Sequence, residues 1–142
     1  MIVYLDTSAL LKLYLAEPES AEVRRLVQAA DLLCTHLITY AEMRAALARA
    51  VRLQRLPAEE LQRLVAQLDV DWDTLRTTVP DGAMVRRAGV LAERFDLRGY
   101  DSVHLAAAEA VFAAAGEAKF LMAVYDGQLA EAARSLGMAV SG

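Results

Sequence analysis

The sequence predicts an α/β fold: a three-layer α/β/α sandwich around a central, mostly parallel sheet of about five short strands. Three observations predict it. The runs Met1-Ile2-Val3-Tyr4-Leu5 and Phe120-Leu121-Met122-Ala123-Val124-Tyr125 are continuously apolar. Unbroken runs of that length read as strands buried on both faces, which is the habit of parallel sheets. Between and around them, segments with apolar residues at helical spacing alternate with further short apolar runs. Strands that alternate with helices pair in parallel and carry helices on both faces. Finally, the chain has 142 residues and is 56% hydrophobic, enough for one domain (1–142) with a core that needs no staples.

The elements follow in order. Residues 2–6 form the first strand. Thr7-Ser8 can cap a helix to about Tyr14, which stops near Glu17-Pro18. Ser20 caps a second helix to about Ala30, with Val23, Leu26 and Val27 on one face. Leu32 to Thr35 is the second strand. A long helix runs from Thr39 to about Gln54, and Thr39 with Glu42 matches the capping-box pattern. Pro57 opens another helix, since Pro suits a first turn, with Leu61, Leu64, Val65 and Leu68 at helical spacing. Asp69 to Asp73 reads as a connection and Leu75 to Val79 as the third strand, broken by Pro80-Asp81-Gly82. Helices follow from about Ala83 to Phe95 and, after Arg98-Gly99, from Tyr100 or Asp101 to about Ala115. Lys119 to Tyr125 is the fourth strand. Leu129 to Leu136 is the last helix, ended by Gly137, and Met138 to Val140 the fifth strand.

Composition narrows the function classes. Charges interrupt every apolar run before it reaches the length of a membrane span, and the start lacks the basic region of a signal peptide. The lone cysteine, Cys34, cannot form an internal disulfide. A cytoplasmic protein is the expectation. The formal net charge of −4 argues against a plain nucleic-acid-binding module. Charge is uneven, however: Arg44, Arg49, Arg52, Arg55 and Arg63 face only Glu59 and Glu60 over the same stretch. They form either a basic stripe or a solvated helix surface.

Four acids stand beside apolar runs: Asp6, Glu42, Asp101 and Asp126. Asp6 and Asp126 end two predicted strands. Glu42 and Asp101 lie in the first turns of two predicted helices, each just after a break. In a parallel sheet, the carboxyl ends of strands and the following helix starts share one edge, where open α/β sheets bind ligands. Carboxylates gathered there raise one another's pKa or recruit a cation. Oxygen donors without His or Cys partners suit Mg²⁺ or Mn²⁺ rather than Zn²⁺. Each acid also has a plainer reading. Asp6 and Asp126 can be helix caps, and Glu42 and Asp101 can be helix-start acids favoured by the dipole. A purely structural role for all four together is harder to sustain.

The segments around these acids carry a resemblance. They are Val3-Tyr4-Leu5-Asp6-Thr7-Ser8-Ala9-Leu10, Thr39-Tyr40-Ala41-Glu42-Met43-Arg44-Ala45-Ala46-Leu47, Tyr100-Asp101-Ser102-Val103-His104-Leu105-Ala106-Ala107-Ala108 and Val124-Tyr125-Asp126-Gly127-Gln128-Leu129. In order and spacing the chain resembles the PIN-domain ribonucleases, in particular the VapC-type toxins of prokaryotic toxin–antitoxin pairs. The resemblance implies a metal-dependent endoribonuclease that is usually homodimeric, with RNA as substrate and a small antitoxin protein as partner. It implies that Asp6, Glu42, Asp101 and Asp126 hold Mg²⁺ or Mn²⁺ and that the Thr7 hydroxyl supports the site. One departure stands out. Family members often carry Thr or Ser two residues before the last acid, and here that residue is Val124.

Other residues read as structural. His104, three positions after Asp101, is expected to pack and make one hydrogen bond, and is left outside the catalytic set. His36 reads as a loop residue. Tyr40, Tyr100 and Tyr125 read as half-buried packing, and Lys12 and Arg44 as the nearest cations to Asp6 and Glu42. A non-catalytic PIN-like module that dimerises and grips a partner is the alternative function. A receiver-type phosphoacceptor domain fits poorly, because the first strand supplies only Asp6 and Lys119 begins its strand instead of ending it.

Overall fold

The structure, a computed structural model, describes residues 1–141. Among these residues are five strands and seven α-helices. The strands are β1 (Ile2–Leu5), β2 (Leu32–His36), β3 (Arg76–Thr78), β4 (Phe120–Ala123) and β5 (Val140–Ser141). They form one sheet in the order β3-β2-β1-β4-β5, and every pairing is parallel. The helices are α1 (Thr7–Leu11), α2 (Ser20–Ala29), α3 (Thr39–Arg52), α4 (Leu61–Trp72), α5 (Gly82–Phe95), α6 (Gly99–Ala115) and α7 (Gly127–Ser135).

Alternation along β1 divides the helices into two layers. Val3 and Leu5 pack with Ala9, Leu10, Val23, Met43 and Leu68, so α1 to α4 cover that face. Tyr4 points the other way and packs with Leu91, Leu105, Ala107, Leu129 and Ala133, so α5 to α7 cover the second face. The expected three-layer α/β/α sandwich is present. Each fully buried leucine contributes roughly 1.5–3 kcal/mol of burial energy.

Several boundaries differ from the sequence reading. The first helix stops at Leu11 rather than Tyr14. Its last turn tightens into Leu13 N–H to Leu10 and Tyr14 N–H to Leu11 bonds, which leave no regular helix beyond. Asp6 belongs to the cap of α1, not to β1, and takes over the capping expected of Thr7-Ser8 by accepting from the Ala9 N–H. The Thr39–Glu42 capping box does not form. Ile38 occupies the cap position without a side-chain bond. The buried Thr39 Oγ1 instead accepts from Thr35 Oγ1 at 2.8 Å. Asp69 to Asp71 is helix rather than connection, because α4 continues to Trp72, whose ring packs edge-on against Tyr40 at 5.3 Å. Pro57 precedes a short 3-10 turn, Ala58–Glu60, before α4 begins. Strand β5 begins two residues later than expected and ends one later, paired through Met122–Val140 and Ala123–Ser141. His36 is the buried last residue of β2, not a loop residue.

Candidate active site

The sheet order places the ligand-binding crevice. From β1 the chain moves to β2 and β3 on one side, while β4 and β5 lie on the other. The β1/β4 boundary is therefore the point where strand order reverses, and open α/β sheets bind ligands outside the strand ends there. Leu5 pairs with Ala123, and the Asp6 N–H bonds the Ala123 carbonyl at 3.1 Å. Asp6 and Asp126 therefore leave neighbouring strands at the same edge. Glu42 reaches this edge from the first turn of α3, which follows β2, and Asp101 from the first turn of α6.

Each acid is tethered through one oxygen. Asp6 Oδ1 accepts from the Ser8 hydroxyl at 2.7 Å and the Ala9 N–H at 2.9 Å. Glu42 Oε1 accepts from the Thr7 hydroxyl at 2.9 Å and lies 2.7 Å from His104 Nε2. Asp101 Oδ2 accepts from Arg98 Nε at 3.0 Å. Asp126 Oδ1 accepts from the Leu129 N–H at 3.0 Å and so caps α7. Among the described residues, Asp6 Oδ2, Glu42 Oε2, Asp101 Oδ1 and Asp126 Oδ2 receive no protein hydrogen bond. Four carboxylates at one sheet edge each keep one hard oxygen available.

Burial sets the electrostatics. Asp6 is 4% exposed. Desolvation pushes its carboxyl up to about 6, with Asp101 adding repulsion, while His104 and the bonds from Ser8 and Ala9 pull the other way. Burial also opposes ionisation of Glu42, but His104 and Thr7 outweigh it and hold Glu42 below the usual glutamate value. A carboxyl kept dry beside another carboxyl holds its proton to higher pH unless positive charge stands nearby. Arg98 supplies some, paired with Asp101 and close enough to Asp126 to feel its field.

The four acids are not equally close. Glu42 and Asp101 line one cleft of about 630 Å³ between α5 and α6, with Arg98, Gly99 and Tyr100 at its rim. Asp6 adjoins them through Thr7 and through its interaction with Asp101. Asp126 lines a second, smaller hollow of about 370 Å³ with Tyr125, Ala130 and Arg134. Among the described residues, no three His, Cys, Asp or Glu side chains stand together as a finished metal-ligand set. The fit to a divalent cation rests on the donor chemistry and the free oxygens.

Some site residues escape sequence reasoning. His104 is buried and contacts Tyr4, Thr7 and Glu42, well beyond the single hydrogen bond expected of it. Its place three residues after Asp101 was the available signal. Ser8 bonds Asp6 and accepts from the Tyr125 N–H at 3.1 Å, which ties the two strand ends together. Arg98, rather than Lys12 or Arg44, is the cation paired with a site acid. Lys12 is buried against Glu17 and Glu19, 2.8 Å from the latter, and Arg44 bonds the Tyr40 hydroxyl at 3.2 Å. The arginine stripe is partly neutralised, since Arg55 pairs with Glu17 and Arg63 with Glu60. Tyr100 is largely exposed instead of half-buried.

A parallel α/β domain with carboxylates at its switch point carries its candidate site where open α/β sheets bind ligands. Comparison narrows the class. The PIN domain family model matches residues 3–134, and the chain belongs to that family. It is 34% identical to Ribonuclease VapC45 of Mycobacterium tuberculosis (strain CDC 1551 / Oshkosh) over 140 residues, covering 99% of this chain and 94% of that protein. It is likewise 34% identical to Ribonuclease VapC46 of the H37Rv strain over 139 residues, covering 97% and 95%. Among solved structures, FitAcB from Neisseria gonorrhoeae aligns over 100% of this chain and 97% of its own with a TM-score of 0.67 and 18% identity. FitAB bound to an IR36 DNA fragment aligns over 99% and 94% with a TM-score of 0.59 and 17% identity. At those identities the structural likeness speaks for the fold. Among the described residues no helix is long and apolar enough to cross a membrane.

Proposed function

We propose that the chain, acting as one domain over its whole length, is a divalent-metal-dependent endoribonuclease and the toxin of a toxin–antitoxin pair. The observation that carries this reading is the set of four acids at the switch-point edge, each tethered through one oxygen and open through the other. Similarity to the VapC ribonucleases supports RNA as the substrate. A small antitoxin protein is the proposed partner, and a homodimer in the cytoplasm the proposed working form.

Asp6, Glu42 and Asp101 would hold Mg²⁺ or Mn²⁺, with Asp126 at the periphery. When bound, such a cation supplies Lewis acidity and neutralises charge developing on a phosphodiester. The chain's own residues do the rest. Thr7 and His104 fix the Glu42 carboxylate, and Ser8 and the Ala9 N–H fix Asp6. Arg98, exposed at the cleft rim, offers a guanidinium to a phosphate oxygen. Val124 has no hydroxyl to offer Asp126, and the Leu129 N–H holds that acid instead.

A second reading has one observation in its favour. Among the described residues the acidic side chains are not gathered into a finished ligand set, as a non-catalytic module that dimerises and grips a partner would allow. One experiment separates the two. Purified protein with RNA and Mn²⁺ should cleave, and chelator or Asp6→Asn should stop it. Equal cleavage in chelator would overturn the metal mechanism, and absence of cleavage from antitoxin-free protein would favour the gripping module.

A further inference from the structure

Behind Glu42 lies a chain of buried polar groups that touch no solvent-facing chemistry. Tyr4, fully buried on β1, places its hydroxyl 2.9 Å from His104 Nδ1. The other ring nitrogen, Nε2, lies 2.7 Å from Glu42 Oε1 and 3.3 Å from the Thr7 hydroxyl oxygen. Thr7 donates to the same Oε1 at 2.9 Å. His104 is 2% exposed, so anything it does for a substrate it does through Glu42.

We propose that Tyr4 and His104 are positioning residues for Glu42: the Tyr4 hydroxyl donates to Nδ1, the imidazole proton therefore sits on Nε2, and the bond from Nε2 to Oε1 pins the carboxylate so that Oε2 is the oxygen offered to a cation. The inference rests on the reading of Glu42 as a metal-holding acid.

For a neutral imidazole the direction of each bond follows from donor and acceptor chemistry, whereas a doubly protonated ring would donate from both nitrogens and the Tyr4 hydroxyl would accept. A phenol carries its proton at neutral pH, so the Tyr4 hydroxyl 2.9 Å from Nδ1 is available as a donor. A phenol that donates to an imidazole nitrogen requires that nitrogen to be bare. The opposite tautomer would set a bare Nε2 against a carboxylate oxygen, two acceptors with no proton between them. His36 closes the back of the chain without competing. Its ring stands edge-on to His104 at 6.2 Å, and its Nδ1 accepts from the Ile38 N–H at 3.0 Å. The His36 proton is therefore on Nε2, a buried donor that finds no hydrogen-bond partner among the described residues. Thr7 and His104 thus converge on one oxygen, while the rest of Glu42 reaches the cleft. A glutamate held this way has already lost the rotamer freedom that binding a cation would cost it.

A purely structural role for the chain predicts lost stability and unchanged metal affinity, so two readouts decide. The first uses the metal-free, full-length protein labelled with nitrogen-15, at a pH where the nitrogen-15 shifts themselves show the His104 ring to be neutral. Ring correlations should show His104 with its proton on Nε2, and Tyr4→Phe should perturb the Nδ1 signal. The second is calorimetric titration with Mn²⁺. Affinity should fall about 10- to 100-fold in Tyr4→Phe, the range typical for groups that orient a metal ligand. His104→Gln, whose amide can still donate to Oε1, should retain more affinity than His104→Ala. Tyr4→Phe should have no further effect once Glu42→Gln is present. A proton on Nδ1 at that pH, or unchanged Mn²⁺ affinity in a folded Tyr4→Phe, overturns the proposal. If RNA cleavage is absent while tautomer and affinity behave as stated, the positioning chain stands and the nuclease reading falls.

Discussion

Asp6→Asn should stabilise the metal-free protein while removing its activity. Asp6 is nearly dry, and burial lifts its carboxyl from an ordinary 3.8 to about 6. Each tenfold change in acidity corresponds to about 1.36 kcal/mol, so an ionised Asp6 costs the fold on the order of 3 kcal/mol at neutral pH. Below about pH 4 folded and unfolded chains both hold the proton, and the cost vanishes. Between about pH 4 and 6 the unfolded chain releases its proton first. The folded state then binds more protons, and stability falls as pH rises. Above about pH 6 the cost is fully present. Asparagine keeps a carbonyl oxygen for Ser8 and Ala9 and never ionises.

Thermal unfolding in chelator at about pH 8 should therefore show Asp6→Asn more stable by about 2–3 kcal/mol, roughly 5–10 °C in Tm for a chain of this size. At about pH 4 the difference should close. Mn²⁺ at about a hundred times its Kd should return about 2.7 kcal/mol to the wild type and nothing to the variant. A variant less stable than wild type at pH 8, or a gain that persists unchanged at pH 4, would refute the claim that Asp6 is held ionised against its surroundings.

Other outcomes can be checked alongside. Thr7→Val keeps the side-chain shape and deletes the bond to Glu42, so RNA cleavage should fall about tenfold while stability moves by about 1 kcal/mol, as initial rates and urea midpoints would show. Gly89 is exposed in the middle of α5, and a Cβ there meets nothing within 4 Å. Gly89→Ala should therefore stabilise by up to about 1 kcal/mol in denaturant unfolding. Leu105 on α6 is fully buried against the sheet, and Leu105→Ala should lower unfolding free energy by about 2–5 kcal/mol.

The layers were legible because burial on both faces of a parallel sheet writes itself as unbroken apolar runs, and the runs around Leu5 and Met122 are such cases. Boundaries were less legible where one side chain had two possible partners. Glu42 satisfies the capping-box pattern with Thr39, yet its carboxylate goes to Thr7 and His104, and Thr39 turns to Thr35. Local spacing cannot rank a cap bond against a contact that exists only after β1, α3 and α6 have met. The same limit hid Arg98 and Ser8, since neither belongs to a periodic pattern. The Asp69–Asp73 stretch misled for another reason. Three aspartates look like a connection, but Asp69 and Asp71 accept from the Tyr40 and Tyr14 hydroxyls, and these bonds hold acids on a helix whose other face is buried.

The charge distribution bears on how such a domain would grip RNA. With a net charge of −4, the protein gains no general attraction for a polyanion. The arginine stripe is only partly available, because Arg55 and Arg63 are paired and Arg44 leans on Tyr40. Arg49 and Arg52 stay exposed in the last turn of α3. Their charge sits at the carboxyl end of that helix, while Glu42 sits at its amino end. Arg98 supplies positive charge at the acid edge, and on the proposed reading a bound cation would supply more. A divalent ion there would do two things at once: relieve the cost of keeping Asp6 ionised, and turn a repulsive edge into one that accepts phosphate. On that reading the repulsion of phosphate by the bare edge and the cost of ionising Asp6 would have the same origin, which is why stability in chelator and cleavage in Mn²⁺ should move in opposite directions when Asp6 is neutralised.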